Sequence, residues 1–256
     1  MRILVHLSVL LFLLSCSQQQ EKVIPQEARY TVPDTLETDR FFDKGKSEIS
    51  QVNDSILLYH NLVDVQKLNG RIYVDLKYAG EDNFLKMRLY EKINKAYLQK
   101  DVAERISKCQ DYLTEIDSGL HLLIYDAVRP VSVQKKMWRA LDTIPSKDRG
   151  NYVSNPANRS LHNYGAAVDL TICDSKGIPL DMGAEFDEFS EIAYPSMEPT
   201  FLASGQLTPE QVNNRKLLRR VMRSQYFRNL PTEWWHFNAC SREDAKNKYS
   251  FLEEEP

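Results

Sequence analysis

Cysteine is scarce in this chain: four in 256 residues, too few for a disulfide-rich fold. Positive charge is not in excess either. The 33 Lys and Arg are outnumbered by 36 Asp and Glu, leaving a formal net charge of −3. A nucleic-acid binder needs a basic stripe, so no nucleic-acid partner is expected. No compositional bias points to disorder, collagen or coiled coil, since 42% of residues are hydrophobic and 27% charged. No repeat at solenoid or propeller periods is visible. The apolar run at the N-terminus, Ile3 to Leu14, falls short of the about 20 residues that cross a hydrocarbon core. What remains is a globular chain long enough to bury its own core without disulfides or a partner subunit.

That apolar run has another use. Arg2 precedes it, and the pattern is that of a secretory signal peptide over residues 1–15. Its end, Leu13-Leu14-Ser15-Cys16, resembles the bacterial lipobox. The resemblance implies that Cys16 is lipidated, and that the mature protein is an exported lipoprotein anchored to a membrane through its N-terminal lipid, facing the periplasm or cell surface. An ordinary signal peptide with an incidental cysteine is the alternative. Residues 16–50 hold Pro25, Pro33 and many charges without apolar periodicity, and read as a flexible tether. The remaining residues, 51–256, form the domain, with its ordered part expected to begin near Val63.

Within the domain, Arg71 to Tyr78 alternates polar with apolar residues and predicts a strand. The spacing from Glu91 to Ile116 predicts a helix. His121–Asp126 is a short apolar run, expected as a central strand, and Pro130–Leu141 as a helix. Ala166–Ile172 predicts another strand. Thr208-Pro209-Glu210-Gln211 starts a helix reaching about Ser224, with Thr as N-cap, Pro at N1 and Gln at N3. Trp234–Ala239 reads as a last strand. Strands and helices without strict alternation predict a single α+β domain, a central antiparallel sheet flanked by helices. The cluster Arg215, Lys216, Arg219 and Arg220 reads as a solvated helix face.

Four histidines lie beyond the leader: His60, His121, His162 and His236. Asp169 falls inside an apolar strand, where an unpaired carboxylate costs several kcal/mol. A metal ion would satisfy it. Two neutral imidazoles and one carboxylate are a recognised set for catalytic zinc. His162 and Asp169 are seven apart and meet only if the chain turns at Gly165. Glu233 and His236, three apart, share a face only if the strand bends there.

The frame Ser160-x-His162-x-x-Gly165-x-Ala167-x-Asp169, followed by Glu233-x-Trp235-His236, resembles the zinc D,D-peptidases, which include D-alanyl-D-alanine carboxypeptidases and dipeptidases. The same core occurs, more distantly, in the Hedgehog amino-terminal domain. The dipeptidase branch is similar over most of residues 63–245, through Asp75–Ala79, Asp126-Ala127-Val128-Arg129-Pro130 and Met182-Gly183 with Phe186-Asp187. The resemblance implies one zinc on His162, Asp169 and His236, Glu233 as general acid/base and Arg129 as oxyanion stabiliser. It suggests Ser160, Tyr78, Tyr90 and Asp187 as substrate-binding residues. The segment before Tyr90 departs from the pattern.

The expected function is hydrolysis of the D-alanyl-D-alanine dipeptide in peptidoglycan metabolism. Asp187 meeting a free amine would separate that from a D,D- or L,D-carboxypeptidase, which cannot require such a contact. A third reading is a non-catalytic binding lipoprotein, against which Glu233 and Arg129 argue, since a structural zinc site needs neither. Arg129 has an alternative role as the salt-bridge partner of Asp126, and Asp187 as an ordinary loop acid. Cys240, close after His236, is assigned a small apolar role rather than a metal.

Overall fold

A fully buried strand organises the domain: all seven residues of Ala167–Cys173 lie inside. The computed structural model describes residues 52–256. The leader, Cys16 and the whole tether lie outside the described residues. In chain order come helix α1 (Asp54–Tyr59), strand β1 (Leu62–Asp64), helix α2 (Val65–Leu68), β2 (Tyr73–Val74), β3 (Tyr97–Gln99), α3 (Lys100–Ile116), β4 (His121–Asp126), α4 (Val131–Ala140), β5 (Ala167–Cys173), α5 (Glu198–Ala203), α6 (Pro209–Arg223), β6 (Arg228–Asn229), β7 (His236–Asn238) and α7 (Arg242–Lys248).

Five strands form the main sheet in the order β2-β4-β5-β7-β6. The pairs β4–β5, β5–β7 and β6–β7 are antiparallel, and β2 adds to β4 in parallel. The expected α+β domain with a central antiparallel sheet is therefore present, with one parallel edge. Strands β4 and β5 read as continuous apolar runs because both are buried along their whole length. Val168, Leu170 and Ile172 enter the main core, joined there by Val102, Ile106 and Leu113 of α3 and by Leu218 and Val221 of α6. Helix α6 starts as its sequence dictates: the Gln211 amide donates to Thr208 Oγ1 at 3.2 Å, and Gln211 Oε1 accepts from the Thr208 amide at 2.8 Å.

Four expectations change. The helix predicted from Glu91 begins at Lys100, because Tyr97–Gln99 pair with Leu62–Asp64 as a small second sheet. The amides of Glu91, Lys92 and Ile93 donate instead to the Glu255 carboxylate at 2.7–3.0 Å, a contact spanning more than 160 residues. The strand predicted over 71–78 shrinks to Tyr73–Val74, and Lys77–Ala79 turn into one 3₁₀ turn that buries Tyr78. Order begins before Val63, with Leu57 of α1 already in the core. In α6, Lys216 and Arg220 are exposed as expected, but Arg215 is only 1% exposed and Arg219 only partly so.

Candidate metal centre and substrate cleft

Three chain segments bring the charged groups together at one end of β5. The first is the turn Leu161–Tyr164, closed by Gly165 in the left-handed conformation at φ 64°. A side chain there would press a Cβ to 2.7 Å from Leu62 and 3.2 Å from the Gln99 amide nitrogen. The turn carries His162 over the start of β5, which carries Asp169. The third segment bends at Trp234–Trp235 and runs into β7, where His236 is paired in register with Asp169. This is the bend that the Glu233–His236 spacing called for.

The three donors converge. His162 Nε2 lies 3.2 Å from His236 Nδ1, and His236 Nδ1 lies 2.9 Å from Asp169 Oδ1. His162 Nε2 lies 3.4 Å from Asp169 Oδ2. Tetrahedral zinc with ligands at about 2.0–2.2 Å implies ligand–ligand edges of roughly 3.3–3.6 Å; the donors approach one another to 2.9–3.4 Å, the two imidazoles meeting different oxygens of Asp169. The remaining ring nitrogens settle which atoms face inward. His162 Nδ1 contacts the Ala127 carbonyl at 2.7 Å, and His236 Nε2 contacts Asn238 Oδ1 at 2.9 Å. Both partners accept only, so each ring donates there and turns a lone pair toward the shared point. The electrostatics agree. Burial pushes the Asp169 carboxyl up, but the two imidazoles more than reverse this and hold it well below the usual carboxylate range. Burial lowers the His236 imidazole, yet Asp169 raises it to about 9, so with no metal its Nδ1 holds a proton toward Asp169, which a bound cation would displace to free the lone pair. The set favours a cation at its centre, and the donors fit zinc. Cys240 is not among these ligands, and all three cysteines of the described residues are free thiols.

Around this centre lies a cleft of about 150 Å³ whose walls include Tyr78, Arg129, Ser160, Asp187, Glu233 and Trp235. Of the two tryptophans only Trp235 lines it; Trp234 faces a separate hollow. Glu233 stands beside the metal ligands, its Oε2 3.8 Å from His236 Nδ1. Burial raises its carboxyl above the ordinary value, only partly countered by His236. Arg129 donates from Nε and Nη2 to Asp126 Oδ2 at 2.9 and 2.6 Å. The anticipated Asp126 bridge thus exists, and it anchors Arg129 without removing it from the cleft. Tyr78 donates to Asp187 at 3.1 Å. Burial pushes the Asp187 carboxyl well up, and the Asp169 charge adds to this. Ser160 Oγ is buried without a hydrogen-bond partner.

Tyr90 is not in the cleft wall. It is fully buried, and its hydroxyl donates to Asp126 beneath Arg129. Three groups support the site: Asp126, anticipated only as a salt-bridge partner, and Asn163 and Asn238, which escaped the sequence reading. Asp126 is 0% exposed and holds Arg129. Asn163, equally buried, receives the Ser160 amide and donates to the Arg129 carbonyl at 2.7 Å and to Gln134 Oε1 at 2.9 Å. Asn238 orients His236. The position of Asn163 inside the histidine turn was the only available signal for it.

A buried pair of imidazoles with a carboxylate, opening onto a cleft that holds a second carboxylate and a guanidinium, defines a metallohydrolase of the peptidase type. The chain belongs to the D-Ala-D-Ala dipeptidase family, Peptidase_M15, whose model matches residues 59–253. It is 34% identical to the D-alanyl-D-alanine dipeptidase of Escherichia coli K12 over 176 residues, covering 69% of this chain and 83% of that one. It is 29% identical to the D-alanyl-D-alanine dipeptidase of Synechocystis over 168 residues, covering 55% and 68%. Among solved structures, the LdcB LD-carboxypeptidase overlaps at a TM-score of 0.41 and 18% identity, covering 73% of this chain and 71% of that one. Zinc is the cofactor, and His162, Asp169 and His236 are the residues that fit it.

One measurement tests the ligand set. His162→Ala is expected to lose bound zinc, read as metal per chain after dialysis, while Cys240→Ala keeps one equivalent. Zinc loss in the cysteine variant would overturn the assignment.

Proposed function

We propose that this protein hydrolyses the free D-alanyl-D-alanine dipeptide in peptidoglycan metabolism, and that it works as an exported, lipid-anchored enzyme. The observation that carries the substrate is the Asp187 carboxylate, which faces the same small cleft as Glu233 and Arg129. A cleft of about 150 Å³ is below the roughly 300–1,000 Å³ of sites for drug-sized ligands, which favours a very small substrate.

An amide is a poor electrophile and neutral water a poor nucleophile. Bound zinc supplies a Lewis acid that lowers the pKa of water to about 7. The protein's own groups do the rest. Glu233, raised by burial, accepts a proton from the attacking water and hands it to the leaving amine. Arg129 carries a permanent charge. With Nε and Nη2 tied to Asp126, its Nη1 edge is left to meet the oxygen on which negative charge develops. Asp187 holds the substrate amine, and the Tyr78 hydroxyl steadies that carboxylate. Ser160 Oγ, unpartnered in the protein, suits the substrate carboxylate. Tyr90 acts at one remove by fixing Asp126. A carboxypeptidase acting on longer stems would have to leave Asp187 without its partner.

The anchoring part rests on the Leu13–Cys16 signal. Cys16→Ser is expected to move the protein from membrane to soluble fractions; persistent membrane association would overturn it.

For the chemistry, Glu233→Ala is expected to keep zinc but lose about 10²–10⁴ in kcat. Near-native turnover would refute the role.

For the substrate, the charge-assisted contact to Asp187 is worth about 1.5–3 kcal/mol, roughly 10- to 150-fold in kcat/KM. The native enzyme should therefore favour D-Ala-D-Ala over its N-acetylated form by at least that much, and Asp187→Asn should narrow the gap. Equal cleavage of both by the native enzyme would replace the dipeptidase with the carboxypeptidase reading.

A further inference from the structure

Asp187 is held in an unfavourable place. It adopts φ 62°, a left-handed conformation that non-glycine residues rarely take. Its carboxylate is desolvated and repelled by Asp169 and Glu233, which Arg129 and the Tyr78 hydroxyl only partly offset. Left free, the loop Met182–Ile192 would relax by turning that carboxylate toward water. Phe186, packed at 5.2–6.0 Å from the rings of Tyr78, Tyr125 and Trp235, restrains the loop near its tip. The feet of the loop are held by one side chain from another element.

That side chain is Arg215. Its Nε donates to the Met182 carbonyl at 2.6 Å and its Nη1 to the Ile192 carbonyl at 2.9 Å. A single planar guanidinium thus closes the loop at both ends. It is anchored in α6, whose Asn214 also donates to the Asp181 carbonyl and whose Gln211 donates to the Asp181 carboxylate. Glu198 balances the charge: it lies 3.8 Å from Arg215 and accepts two bonds of 2.7 Å from Arg219. Burying an arginine this deeply is costly, and burial pulls its pKa down to about 10. Two short backbone bonds to one loop are what the cost secures.

We infer that Arg215 is a positioning residue for substrate selectivity: by fastening both feet of the Met182–Ile192 loop it sets where Asp187 meets the substrate amine. The inference rests on the reading of Asp187 given above. Lysine is a point donor and cannot bridge both carbonyls as the arginine fork does.

The test measures kcat, KM and zinc content for D-Ala-D-Ala and its N-acetylated form, in the native enzyme, Arg215→Lys, Asp187→Asn and the double variant. Arg215→Lys is expected to keep one zinc per chain and to lower the preference for the free dipeptide about tenfold, mainly through KM. In the Asp187→Asn background the same substitution is expected to change the preference by less than about twofold, because the carboxylate it positions is gone. A native-like preference in Arg215→Lys, or an equal further loss in the Asp187→Asn background, overturns the inference while leaving Asp187 in its role. No preference in the native enzyme, or none lost in Asp187→Asn, overturns the Asp187 reading and this inference with it. Should Arg215→Lys fail to fold, Asn214→Ala loosens the first foot more gently. A shift in the same direction supports the inference, and an unchanged preference refutes it.

Discussion

Asp169 sits near the start of a strand with no exposed residue, and the rest of the site answers that fact. An ionised carboxylate in such a place costs several kcal/mol unless it is paired and hydrogen-bonded. Two imidazoles from different chain segments face it, each fixed by an outward hydrogen bond to an acceptor, so their lone pairs share one point with the carboxylate. A divalent ion there satisfies all three groups at once. The fold holds this arrangement without relying on long flexible side chains, because β5 and β7 are in register and the His162 turn is closed by a glycine that tolerates nothing larger.

A second buried charge system stands beside the first. Arg129, 8% exposed, is held through Asp126, and Asp126 is satisfied in turn by Tyr90. Asn163 ties the Arg129 backbone to the histidine turn. The Arg129 amide also donates to the His162 carbonyl at 3.0 Å. The guanidinium-bearing residue is therefore tied by backbone and side-chain bonds to the turn that carries His162. Asp187 belongs to a different body: it hangs on a loop reached by Tyr78 from one side and governed at its feet by α6. The metal ligands and Asp187 thus rest on separate supports.

Much was legible in advance where a local pattern coincided with the final environment. β4 and β5 read as apolar runs because both are buried throughout, and α6 read from its Thr-Pro-x-Gln start because capping is local chemistry. The spacings around Gly165 and between Glu233 and His236 demanded a turn and a bend, and both are there. Reading failed where partners distant in sequence intervened. The helix expected from Glu91 is cut short by Glu255 and by pairing with β1. In the basic cluster of α6, Arg215 is buried and Arg219 half-buried, because backbone carbonyls and Glu198 wait beneath them. Tyr90 lies buried against Asp126, outside the cleft lining, a placement its local sequence does not show.

By itself the sequence determined the α+β class and offered the two histidines and the aspartate as a candidate metal set, because donor chemistry and motif spacing belong to the residues themselves. Only the tertiary structure decided which of those residues meet, at what separation, and which charges are buried. Such placements depend on register, loop closure and the burial of groups far apart in the chain. Arg215 shows the division most clearly: its type and its place on a helix could be read from the chain, while its role exists only because two carbonyls of one loop fold onto its guanidinium.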